Sequence, residues 1–134
     1  MPNRRHFIIG ASAFGLMPFG HAARAMIDYT PGLVTERLAA GETVLVDFSA
    51  EWCSTCRAQE RVISGLRAAN PAYDAAMTFV KIDWDTHGTG ALSQSLRIPR
   101  RSTLVLLRGD AELGRLVAVT AEPDIRALLD LGLG

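Results

Sequence analysis

Four apolar runs of strand length lie along the 134-residue chain, separated by stretches whose apolar positions recur at helical spacing. Thr43-Val44-Leu45-Val46-Asp47-Phe48-Ser49 is too continuously apolar to be half exposed, and it predicts a buried central strand. Before it, Leu33 to Ala40 reads as a short helix, with Thr30 and Pro31 at its start and Gly41 just past its end. After it, Val62, Ile63 and Leu66 mark one face of a helix from Cys53 to about Ala69, which Asn70-Pro71 ends. A second strand is predicted at Met77 to Ile82, a Gly-rich turn at His87 to Gly90, and a short helix at Ala91 to Leu96. Ser102 to Leu107 reads as a third strand, and Gly109-Asp110 turns the chain into a fourth at Glu112 to Val119. A helix from Glu122 to Leu131, with Pro123 in its first turn, follows. Strand–helix–strand followed by a hairpin and a helix predicts an α/β fold, a central mixed β-sheet flanked by helices on both faces.

The first 25 residues break this pattern. Arg4 and Arg5 precede a mildly apolar stretch from Phe7 to Phe19 that Gly10 and Gly15 dilute, and Ala23-Arg24-Ala25 offers a small-x-small cleavage site. Asn3-Arg4-Arg5-His6-Phe7-Ile8 resembles a twin-arginine signal, whose cargo crosses the bacterial inner membrane already folded. The expectation is a signal peptide over 1–25, cut after Ala25, and one exported, periplasmic domain over 26–134. An uncut N-terminal anchor is the other reading of the same segment.

Composition sharpens this only at the margins. With 49% apolar and 21% charged residues the chain can bury a core, and its length suits one domain. No apolar run reaches the roughly 20 residues needed to span a bilayer. The signal segment holds Arg4, Arg5 and Arg24 and no acidic residue, which leaves 11 basic against 14 acidic side chains once it is cut. The zero net charge of the whole chain argues against a nucleic-acid binder held by phosphate contacts, −3 suits a soluble periplasmic protein, and a monomer is expected.

The chemistry concentrates at one place. The only two cysteines form Cys53-Ser54-Thr55-Cys56, at the junction of the buried strand and the long helix. The first turn of a helix has unpaired N–H groups and a positive dipole end, so a thiolate at Cys53 is stabilised there and its pKa falls from about 8.5. Cys56 sits one turn on, on the same face, where it can attack a mixed disulfide and release the partner. Two other readings compete. A zinc site normally takes four ligands, and the domain offers two cysteines and the single histidine His87. A structural disulfide would close so small a loop that it constrains the unfolded chain little.

The segment from Val44 to Arg57, with Asp47-Phe48-Ser49-Ala50-Glu51-Trp52-Cys53-Ser54-Thr55-Cys56 at its heart, resembles the active site of thioredoxins and of periplasmic thioredoxin-like domains. The likeness extends over 26–134 in element order and length. It implies a thioredoxin fold and a protein-disulfide oxidoreductase whose dithiol carries two electrons with no further cofactor. It also implies roles. Cys53 is the nucleophile and Cys56 resolves. Asp47 accepts the Cys56 proton through water, Lys81 stands near Asp47, and Trp52 shields the active cysteine. Disulfides of periplasmic client proteins are the substrates, and a membrane electron donor recharges the dithiol.

Three departures from that pattern stand out. Thr103-Leu104-Val105-Leu106-Leu107 matches the strand that the family precedes with a cis-proline, so Ser102 occupies the proline position and Pro99 lies three residues earlier. Arg100 and Arg101 come immediately before it, where they can depress the Cys53 pKa or attract an acidic partner. Ser54-Thr55 replaces the Gly-Pro of ordinary thioredoxins and leaves the direction of electron flow open, with reduction favoured by the surrounding block. Two other functions remain open at this point: a metal or iron–sulfur cluster shared by two chains through Cys53 and Cys56, and a binding module whose thiols are incidental.

Overall fold

The computed structural model describes residues 24–134; residues 1–23, most of the segment read as a signal, lie outside the described residues. Five strands form one mixed sheet: β1 (Ile27–Asp28), β2 (Thr43–Ser49), β3 (Met77–Asp83), β4 (Thr103–Arg108) and β5 (Ala111–Val117), in the order β1-β3-β2-β4-β5. β1, β3 and β2 run parallel, while β2–β4 and β4–β5 are antiparallel. Every residue of β2 is buried, as its unbroken apolar run requires of a strand with neighbours on both edges.

Helices α1 (Leu33–Ala39), α2 (Ser54–Ala69), α3 (Ala72–Ala76), α4 (Trp84–His87), α5 (Ala91–Ser95) and α6 (Glu122–Asp130) cover the two faces, and a 3₁₀ turn at Leu131–Leu133 follows α6. Side chains alternate across each strand. Leu45, Leu104, Leu106 and Phe79 pack with Ile63 of α2 and with Ile125 and Leu129 of α6. Val44, Val46, Phe48, Val80 and Val105 pack on the opposite face with Val34 of α1 and, partly buried, Trp84 of α4 and Leu92 of α5. The mixed sheet with helices on both faces is the architecture expected from the sequence.

The element boundaries have local causes. α1 starts at Leu33, as expected, behind Gly32, whose φ of +92° is open to glycine alone without strain, and it ends one residue earlier, at Ala39. Asn70 leaves helical geometry at φ −135°, and α2 ends there as the Asn-Pro step requires. β4 starts at Thr103 because Ser102 turns left-handed, at φ +63°. The sequence pattern does not place β1, α3 or α4, which are two to five residues long; α5, equally short, is marked off by the Gly-rich turn before it.

Candidate active site

Cys53 is the N-cap of α2, in extended geometry, and its sulfur accepts the backbone N–H of Cys56 at 3.2 Å. The sulfur thus does what a serine or aspartate oxygen does at other helix starts. Both cysteines are free and buried. Ser54, exposed, and Thr55, half-buried, form the first turn between them.

Ser102 faces both thiols. Its hydroxyl lies 3.2 Å from Cys53 Sγ and 3.0 Å from Cys56 Sγ. The described residues contain no cis peptide bond, so Ser102 stands at the family's proline position in a trans, left-handed loop. Its N–H donates to the Phe48 carbonyl at 2.7 Å, and its own carbonyl accepts from Ala118 N at 2.8 Å and from Gln59 Nε2 at 2.9 Å. Gln59 Nε2 also reaches the Val119 carbonyl at 3.0 Å. Thr103 is buried behind Ser102, where its hydroxyl donates to the Arg100 carbonyl at 2.7 Å.

The two arginines diverge. Arg101 stacks its guanidinium over the Trp52 ring at 4.2 Å and lies beside Cys53. Arg100 turns back instead and donates its Nε–H to the Arg101 carbonyl at 3.0 Å. Trp52 is 58% exposed, with its indole N–H on Asp85 Oδ2 at 2.8 Å. The aromatic packed against Ala50, Cys53 and Cys56 is Trp84, which also meets Phe48 edge-on.

Burial alone would raise the Cys53 thiol. Hydrogen bonds from the Cys56 thiol, the Ser102 hydroxyl and the Cys56 backbone N–H, with Arg101 alongside, outweigh it and bring the pKa from 9.0 down to about 6. Cys53 is therefore largely thiolate at neutral pH.

Asp47 is fully buried on the α2 face of β2, and neither carboxylate oxygen has a hydrogen-bond partner. Burial pushes its pKa up from 3.8 to about 7, Glu60 adds to the rise, and Lys81 opposes it. Lys81 is its neighbour in register on β3. The Lys81 ammonium, however, is held by Glu60 of α2, at 3.0 and 3.2 Å from its two oxygens. Glu60 thus keeps the one nearby cation off the buried carboxyl.

Sequence reasoning missed Gln59, Glu60 and Trp84. Gln59 carried a usable signal, because it sits one helical turn before Ile63 on the buried face of α2, where a polar side chain must find partners. Among the described residues, no group of three or more His, Cys, Asp or Glu side chains is arranged to hold a metal ion.

A nucleophilic thiolate at a helix start, a second thiol one turn later and a buried carboxyl titrating near neutrality are the parts that dithiol exchange requires. Fold and site together define the thiol–disulfide oxidoreductase class. Comparison with known proteins agrees. Residues 30–130 match the family model described as Thioredoxin, and the chain belongs to that family. It is similar to Thioredoxin H2-1 of Oryza sativa subsp. japonica, 36% identical over 74 residues, which span 55% of this chain and 49% of that protein. It is also similar to Thioredoxin of Mycolicibacterium smegmatis, 29% identical over 83 residues, or 62% of this chain and 71% of the other. Among solved structures it resembles Trxlp from Edwardsiella tarda, with a TM-score of 0.65 and 35% identity over 79% of this chain and 96% of that one.

Proposed function

We propose that the protein is an exported thiol–disulfide oxidoreductase that reduces disulfides of client proteins in the periplasm and is recharged by a membrane electron donor. The Cys53 thiolate attacks the client disulfide and forms a mixed disulfide. Cys56 then gives up its proton through water to Asp47, and its thiolate attacks Cys53 Sγ. The client leaves reduced, and Cys53 and Cys56 are left as a disulfide. No bound cofactor is needed, because the dithiol holds both electrons.

The observation that carries the direction is the Cys53 pKa of about 6. The reduced form of such a protein is favoured in proportion to the stability of its thiolate. Reducing members of this class hold the nucleophile near about 7 and strong oxidants near about 3.5. Cys53 lies at the reducing end.

Equilibration of residues 26–134 in defined thiol–disulfide buffers tests this reading. A potential near about −270 mV is expected, and one near about −120 mV would make the protein an oxidant. Export is read separately. The chain should appear in the periplasmic fraction with its N-terminus at Met26, and the R4K/R5K double variant should stay in the cytoplasm. A full-length chain that stays with the membrane would replace export with anchoring.

A further inference from the structure

The Ser102 hydroxyl is buried, and it stands within hydrogen-bond reach of two sulfurs that react one after the other. A serine hydroxyl has one hydrogen to give and lone pairs to receive. It can therefore donate to one sulfur while accepting from the other, but it never donates to both. Its backbone cannot drift toward either. A non-glycine residue at φ +63° persists only where its surroundings over-determine it. Here Phe48, Ala118 and Gln59 do so through three hydrogen bonds. What remains free is the rotation of the hydroxyl hydrogen. A proline, the residue the family pattern puts here, has no such group.

We propose, on the basis of the oxidoreductase reading above, that Ser102 is a catalytic residue whose hydroxyl serves the two cysteines in turn, donating first to the Cys53 thiolate and then to the Cys56 thiolate. In the reduced protein the hydroxyl donates to Cys53 S⁻, and the Cys56 S–H is shared between Cys53 S⁻ and the hydroxyl oxygen. The thiolate attacks a client disulfide: the bond from Cys53 Sγ to one client sulfur forms and the client S–S bond breaks. The other client sulfur leaves with the electron pair and takes a proton from water. Cys53 Sγ now carries no charge, and the hydroxyl hydrogen turns to Cys56. Cys56 passes its proton through water to Asp47 and attacks Cys53 Sγ, and the second client sulfur leaves with its electron pair and takes a proton from water. Two electrons and two protons reach the client, and the protein holds one disulfide.

The test uses S102A and S102G in the reduced domain. Both remove the hydroxyl, but alanine keeps the left-handed strain and glycine relieves it, so their stabilities diverge. Thiolate absorbance against pH reads Cys53 with no client present. Its midpoint should rise by about one pH unit in both variants, the loss expected for one hydrogen bond to a charged sulfur. Stopped-flow reaction with an aromatic disulfide then releases two coloured thiols in sequence, at attack and at closure. Below the midpoint both steps should slow about threefold, a tenfold loss of thiolate offset by the greater nucleophilicity of a more basic sulfur. An unchanged midpoint in both variants overturns the proposal. So does slowing of the attack step with closure unaffected, since the hydroxyl would then serve Cys53 alone. A titration that follows stability, moving in one variant only, makes Ser102 a structural residue and also overturns it. Failure of the oxidoreductase reading shows up elsewhere, as inability of the unaltered protein to reduce a protein disulfide.

Discussion

Replacing Asp47 by Asn removes a buried ionisable group and keeps its shape, and the effect on stability depends on pH. The carboxyl titrates at 3.8 when solvated and at about 7 in the fold. Between those values the native state binds a proton that the unfolded chain has lost. Asp47's contribution to stability is therefore fully present below pH 4 and is lost as pH rises through about 7. A separation of about 3 pH units at about 1.4 kcal/mol each makes the ionised carboxylate about 4 kcal/mol costlier to fold at pH 9 than its neutral form. The neutral carboxyl and the carboxamide bury comparable polar groups, so wild type and Asp47→Asn should agree within about 1 kcal/mol at pH 4. At pH 9 the variant should be ahead by about 3 kcal/mol. Cys53 titrates in the opposite sense: lowered from 9.0 to about 6, it adds stability that is complete above 9 and is lost as pH falls through 6. The two groups repel when both are ionised, so Asp47→Asn also lowers the Cys53 midpoint slightly, which adds to the variant's advantage at high pH. Urea unfolding of the reduced domain at six pH values between 4 and 9 is the assay. A difference that stays within about 1 kcal/mol across the range would refute the buried, unpartnered carboxylate.

The neighbouring charges give further outcomes. Glu60→Gln frees the Lys81 ammonium to approach Asp47, so the Asp47 carboxyl should titrate lower, as read by carbon NMR of its side chain, and no downward movement would deny Glu60 its hold on Lys81. Arg101→Gln should raise the Cys53 midpoint while Arg100→Gln leaves it in place, because only Arg101 lies beside the sulfur; iodoacetamide alkylation against pH checks both, and equal shifts would contradict the loop geometry. Gln59→Leu removes the donor to the Ser102 and Val119 carbonyls and should destabilise the fold by about 2 kcal/mol in thermal or urea unfolding. A loss below about 0.5 kcal/mol would show that those carbonyls are satisfied without it.

The parts of the fold legible in the sequence are those where one pattern runs long enough to exclude others. β2 was legible because seven consecutive buried residues leave no solvent face. The long helix was legible from Val62, Ile63 and Leu66, and the cysteine pair from its place at the strand–helix junction. α3 and α4 were not, since five and four residues show no period, and α5, as short, was marked only by the Gly-rich turn before it. α4 forms because Asp83 caps it and Trp84 packs on Phe48 and the cysteines, a contact between distant segments. The site divides in the same way. Asp47, Cys53 and Cys56 follow from local sequence, and Ser102 from its alignment against the Thr103–Leu107 run. That Lys81 is tied to Glu60 depends on which residue of α2 lies over which residue of β3, and no local pattern encodes that.

Gln59 links three separate parts of the chain: the helix that carries both cysteines, the Ser102 turn, and the Val119 carbonyl ahead of α6. The Ala118 amide, itself bonded to the Ser102 carbonyl, closes the same circuit. A redox site whose walls come from three segments could open piecemeal, each loop fraying on its own. With one buried amide shared among them, opening any wall breaks bonds in the others, so the site opens as a single cooperative unit. The Ser102 and Ala118 amide protons should therefore exchange with solvent as slowly as those of the central strand.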